Sequence, residues 1–123
     1  MTPQWVFFDS PSLNNSKVLD EIRAARLSKR ETVALDELLK RIADGRAIPG
    51  KDFKPLPAQK LHEVRFRANK RIFRLLYSKE QEETLVLVAL VFVGKKAQKL
   101  PEHVFKKARQ RVRIWQQNHN YHQ

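Results

Sequence analysis

The fold turns on three consecutive segments: Leu61-His-Glu-Val-Arg-Phe-Arg67, Arg71-Ile-Phe-Arg-Leu-Leu-Tyr-Ser78 and Thr84-Leu-Val-Leu-Val-Ala-Leu-Val-Phe-Val93. In the first, His62, Val64 and Phe66 alternate with Glu63, Arg65 and Arg67. That is the two-residue period of a strand, with one face toward a core. The second sets Phe73, Leu75 and Tyr77 on one side and Ile72, Arg74 and Leu76 on the other. The third is apolar on both sides, which predicts a central strand covered on both faces. Asn69-Lys70 and the charged stretch from Lys79 to Glu83 are turn-length connections, so the three strands form an antiparallel meander.

Upstream, Trp5-Val-Phe-Phe8 reads as a short strand ended by Asp9-Ser-Pro11. Val18, Ile22 and Ala25 keep helical spacing. A second helix is marked by a capping box, Ser28 with Glu31, in which each side chain satisfies a free backbone N–H. Its stripe is Leu35, Leu38, Leu39 and Ile42, and Gly45 is its expected stop. The two helices predict a hairpin over one sheet face. The stretch from Ala47 to Pro57 reads as irregular. Downstream, Gly94-Lys-Lys ends the buried strand, and Pro101 suits the first position of a last helix with Val104, Ala108, Val112 and Trp115 on one face. The tail from Gln116, with His119 and His122, is expected to fray. The predicted order is β-α-α-β-β-β-α over one domain, residues 1–123. The class is α+β, an N-terminal helical hairpin packed on a mainly antiparallel sheet with a C-terminal helix.

Charge narrows the function. Lys and Arg total 25 against 13 acidic residues, a formal +12, and such an excess in a small domain serves association with a polyanion. Residues 1–50 are near balance, with eight basic and seven acidic side chains. From Lys51 to Lys79 nine basic residues face only Asp52 and Glu63, and from Lys95 to Arg113 eight face only Glu102. The polyanion is therefore expected on the C-terminal three fifths. The longest apolar run, Leu85 to Val93, is nine residues, far below the roughly 20 of a membrane-spanning helix. The N-terminus has no basic segment leading into an apolar one, so neither secretion nor membrane insertion is expected. The absence of cysteine excludes disulfides, thiolate metal sites and cysteine nucleophiles, and fits a cytoplasmic location. No His/Asp/Glu spacing suggests a metal site and no glycine-rich loop suggests a nucleotide cofactor, so neither is expected.

Arg65 and Arg74 fall on the non-core face of adjacent strands, and Lys95 and Lys96 end the next strand. Converging there, they would suit a phosphate, Arg as a planar fork and Lys as a point charge. A solvated basic face without chemistry accounts for the same spacing. The last helix, with Lys106, Lys107, Arg109, Arg111 and Arg113, reads as a phosphate-contacting surface.

Lys54-Pro-Leu, Leu61-His-Glu-Val-Arg65, Phe73-Arg-Leu-Leu-Tyr77, Val91-Phe-Val-Gly-Lys-Lys96 and Pro101, in that order and spacing, resemble the RelE/ParE toxin superfamily, in particular its phage-derived HigB-like branch. The resemblance covers about residues 50 to 115. It implies the toxin of a type II toxin–antitoxin system, an endoribonuclease that cuts messenger RNA in the ribosomal decoding site. Its partners would be the ribosome with messenger and ribosomal RNA, and a cognate antitoxin of helix-turn-helix type, the two forming a heterotetramer. In such a reaction the 2′-hydroxyl attacks the adjacent phosphate, leaving a cyclic phosphate and a 5′-hydroxyl. It needs a base, an acid and positive charge at the developing phosphorane. Matched by motif position, Arg65, Arg74 and Lys96 take the cationic roles and Lys54 contacts the backbone. Arg67, Lys99, Lys106 and Arg109 are the further RNA-binding candidates.

Two departures leave the base open. Glu63 stands where some relatives carry lysine, and could pair with a neighbouring Arg. Phe105 stands where RelE has a tyrosine, and phenylalanine transfers no proton. Lys95 or Lys96, its pKa lowered among cations, or His103 in the first turn of the last helix, could serve. His62, on the apolar side of its strand, is expected in the core or an interface. Two other functions fit the cations, a gyrase-inhibiting toxin of the same superfamily and an RNA-binding module without chemistry.

Overall fold

The computed structural model describes residues 2–9, 18–95 and 99–119. Their elements are β1 (Gln4–Phe7), α1 (Val18–Ala24), α2 (Lys29–Ala43), β2 (Phe53–Leu56), a 3₁₀ turn (Pro57–Gln59), β3 (Leu61–Ala68), β4 (Arg71–Gln81), β5 (Leu85–Gly94) and α3 (Glu102–His119). The strands form one sheet in the order β1-β5-β4-β3-β2. β2 through β5 pair antiparallel, and β1 lies parallel to β5 with Gln4 opposite Val86 and Phe7 opposite Ala89. The class is α+β, as the residue pattern predicts.

Three stretches differ from that pattern. Lys79 to Gln81, expected in a turn, continue β4 and pair with Leu87 to Leu85 of β5. The segment read as irregular contains β2, an edge strand whose Pro55 stands opposite His62. An edge position tolerates proline because no second strand needs its missing N–H. α3 does not fray at Gln116 but continues to His119. Gln116 Nε2 donates to Glu80 Oε1 at 2.9 Å, and the His119 ring stacks on Trp115 at 4.0 Å between centroids. These side-chain contacts hold a turn that helical periodicity alone leaves unsupported. His122 lies outside the described residues.

The helical hairpin forms as its sequence dictates. Ser28 Oγ accepts the Glu31 N–H at 3.0 Å, and Glu31 Oε1 accepts the Ser28 N–H at 2.8 Å. Gly45, at φ +74°, turns the chain out after α2. Leu35, Leu38 and Leu39 are buried, and Trp5 Nε1 donates to the Leu39 carbonyl at 2.7 Å, tying α2 to β1. Trp5 in turn meets Tyr77 edge-on at 4.9 Å. Arg71 fastens the other end of the hairpin to β4, donating to the Ala25 carbonyl and to Glu31.

β5 is buried in both parities from Val86 to Phe92, so it needs cover on both faces. α1 and α3 both pack on it. A bulge between Leu76 and Tyr77 leaves Leu90 without an opposite residue, and its carbonyl accepts Arg111 Nη1 at 2.8 Å. Beyond the end of β1, the Phe92 N–H donates to Glu21 Oε1 at 3.0 Å. Glu21 Oε2 pairs with Arg111 Nη2 at 3.0 Å, and the Arg111 guanidinium lies over the Phe8 ring. One ion pair from α1 and α3 thus closes the open part of the β5 edge, satisfying backbone groups that would otherwise be buried alone.

Arg111 is consequently not part of a phosphate-contacting surface on α3: its side chain is 8% exposed. Arg111→Ala is expected to lower stability by about 3 kcal/mol, because it strands the Glu21 carboxylate and the Leu90 carbonyl. Urea denaturation with an unchanged m-value would register this as a lower midpoint. A loss below about 0.5 kcal/mol would mean that the pair is solvated.

Candidate nucleic-acid site

The candidate site is built on the pleat of β3 and β4. Arg65 and Arg74 are direct partners across these strands, and Lys54 on β2 stands opposite Glu63. Alternation therefore sets Lys54, Glu63, Arg65, Arg67 and Arg74 on one face. Like charges directly opposite repel, so an Arg–Arg pair needs compensation, and Glu63 supplies it. A single oxygen, Glu63 Oε1, lies 2.6 Å from Arg74 Nε and 3.3 Å from Arg65 Nε. Glu63 and Arg74 are both 7% exposed. The Arg74 contact is close but off the N–H axis, an ion pair rather than a directed hydrogen bond.

Backbone carbonyls fix the remaining geometry. Arg74 Nη1 donates to Phe73 O at 3.2 Å and Arg65 Nη1 to Gly50 O at 2.8 Å. The Arg65 N–H reaches Asp52 O at 2.9 Å. Gly50 sits at φ +82°, a conformation that costs other residues roughly 1–2 kcal/mol, so the loop that receives Arg65 depends on glycine there. Among the described residues, Arg74 Nη2 has no partner, leaving one limb of a buried fork for an incoming acceptor.

Lys95 completes the group. Its backbone N–H donates to Ile72 O at 2.7 Å, one step past the end of β5. The residue is partly exposed, and its ammonium titrates below the ordinary lysine range. Desolvation is the main cause; the Arg74, Arg65 and Lys54 charges add to it and Glu63 opposes it. Four cations thus interact around one carboxylate. Such a group attracts a phosphate, and its lysine gives up a proton more readily than a free one.

The other candidates are placed differently. Lys96 lies outside the described residues. His103 is exposed in the first turn of α3 and makes no hydrogen bond or ion pair among the described residues. Lys99 and Lys106 are exposed, and Arg67 is exposed at the end of β3. Arg109 is held by Gln59 and, at 2.9 Å, by Glu102, clasping the 3₁₀ turn to α3. His62 belongs to the opposite face, where its ring stacks on Tyr77 at 5.2 Å. Burial and the Lys79 charge keep it neutral below the usual histidine range. No helix is long and apolar enough to cross a membrane, and no group of three or more His, Cys, Asp or Glu could hold a metal ion, among the described residues.

The profile of the family described as phage-derived protein Gp49-like matches residues 20–113. The chain belongs to the Gp49-like family. This family is toxin-like and related to the RelE/HigB type. The match takes in Lys54, Glu63, Arg65, Arg74 and Lys95 and leaves out β1 and the end of α3. No curated protein matches the chain.

Because Glu63 raises the Lys95 pKa, its neutralisation in Glu63→Gln is expected to move Lys95 further down, read by NMR titration of the lysine side chains. The linkage follows in sign. A lysine depressed in the folded state holds fewer protons than in the unfolded chain, so stability rises with pH from its folded value up to the ordinary lysine value. Lys95→Met should flatten that alkaline rise. An unmoved Lys95 in Glu63→Gln would remove Glu63 from the electrostatics of the site.

Proposed function

We propose that this Gp49-like protein is the toxin of a toxin–antitoxin pair and an endoribonuclease that cuts messenger RNA on the ribosome. The observation that carries the reading is the Arg65–Arg74 pair, adjacent on paired strands, sharing one oxygen of Glu63 and coupled to Lys95. A phosphate set against these guanidiniums receives charge already fixed by the sheet. Little reorganisation is then needed as negative charge grows on the phosphoryl oxygens.

The chemistry follows from what such groups can do. The RNA 2′-oxygen attacks the neighbouring phosphorus while the bond to the 5′-oxygen breaks, giving a cyclic phosphate and a 5′-hydroxyl. Arg74, buried and forked, holds the non-bridging oxygens, and Arg65 flanks them. Lys95 in its neutral form accepts the 2′-hydroxyl proton, since desolvation first and the neighbouring cations second disfavour the protonated state. The leaving oxygen takes a proton from Lys96, His103 or water. Lys54 and Arg67, on the same face, extend positive charge along the RNA backbone, and exposed Lys99, Lys106 and Arg113 meet ribosomal RNA. An antitoxin with an acidic segment over the face would block RNA by occupying the same cations, and a heterotetramer is the expected complex.

The test is primer extension on a message that is translated, compared with the same message naked. Cuts are expected only with ribosomes. Arg65→Ala and Arg74→Lys should each slow cutting roughly 10²-fold while circular dichroism stays native, the scale for losing one preorganised donor. Equal cutting of naked RNA would make the protein a ribosome-independent nuclease. Growth arrest without cuts, but with lost DNA supercoiling, would favour a gyrase-directed toxin.

A further inference from the structure

A cleft of about 630 Å³ is lined by α2, by the Gly50–Asp52 loop and by β3 and β4. Arg65 and Arg74 line it, and both also flank Glu63. Its volume falls within the roughly 300–1,000 Å³ of small-ligand pockets, room for one nucleotide rather than a duplex. Hydrogen bonds hold the loop wall in place, among them Arg65 on the Gly50 and Asp52 carbonyls and the Ile48 N–H on Asp52 Oδ2 at 2.8 Å. It is therefore preorganised.

The wall from α2 presents Ala34, Glu37 and Arg41, one helical face. Arg41 and Arg67 offer planar guanidiniums on which a base can stack. Asp52 is committed to Ile48 and to Arg41 at 4.0 Å. Glu37 is exposed and has no ion pair or hydrogen bond among the described residues. A carboxylate accepts hydrogen bonds and donates none. Placed in a cation-rich cleft, it can bond the amino group of adenine, cytosine or guanine. Against uracil it meets two carbonyl oxygens around a single N–H.

We propose that this cleft holds the nucleotide whose phosphate rests on Arg65 and Arg74, and that Glu37 selects amino-bearing bases over uracil. The inference deepens the RNA-directed function proposed above and rests on it. The same cations could attract an acidic peptide, but Glu37 at the wall repels one.

The experiment titrates the purified chain with the four nucleoside 3′-monophosphates by calorimetry and NMR, without ribosomes. The adenosine, cytidine and guanosine nucleotides are expected to bind about five- to tenfold tighter than the uridine nucleotide. Glu37→Gln, whose amide both donates and accepts, should bring uridine level with the rest. Ala34→Phe fills the cleft from an exposed helical position and should weaken all four roughly tenfold. Equal affinities in wild type, shifts confined to residues away from the cleft, or a cleft that takes an acidic peptide and no nucleotide would each overturn the inference. Cutting on the ribosome is read separately. Base-selective binding without cutting would support the cleft and sink the nuclease, and cutting with an indifferent cleft would do the reverse.

Discussion

The site depends on the burial of one carboxylate between two guanidiniums. Arg65 and Arg74 face one another across adjacent strands, a pairing that alone would push the strands apart. Glu63 lets the pair exist, and it does so on the same face of β3 as Arg65 because they are two residues apart. Desolvation of such a group is costly unless each charge is met. Here Arg74 also leans on the Phe73 carbonyl and Arg65 on the Gly50 carbonyl. The cations are thereby held rigidly while their total charge stays positive, which is what a phosphate-directed surface requires and a salt bridge of equal charges would not provide.

Much of this was legible in residues alone. The meander follows from period-two alternation at His62–Arg67 and Ile72–Tyr77, and the buried strand from its unbroken apolar run. The capping box at Ser28 and Glu31 was visible because both partners are local. What escapes a linear reading is non-local. β2 is too short and too proline-rich to show a pattern, and its pairing with β3 comes from the chain folding back. The parallel placement of β1 beside β5 joins segments far apart in the sequence, Gln4 lying opposite Val86.

The same divide runs through the site. The convergence of Arg65 and Arg74 could be read from strand alternation, with Glu63 as an available partner. The reach of Arg65 to the Gly50–Asp52 loop, and the role of Arg41 and Glu37 as a wall, could not, since nothing in the sequence relates α2 to the end of β3. Arg111 is the instructive error of composition. Among five cations on one helix, only three-dimensional packing distinguishes the one that turns inward to Glu21 and the bulged Leu90.

That inward turn sets a timetable for synthesis. The first strand has no neighbour until the fifth exists, and the gap beside it stays unsealed until residue 111 has emerged. Long-range pairings of this kind form slowly, because the intervening loop must be closed before any contact rewards it. A nascent chain therefore carries its arginine-bearing hairpin, β3 and β4, into solution before the sheet is complete. For that interval the cationic strands exist without the scaffold that aligns them.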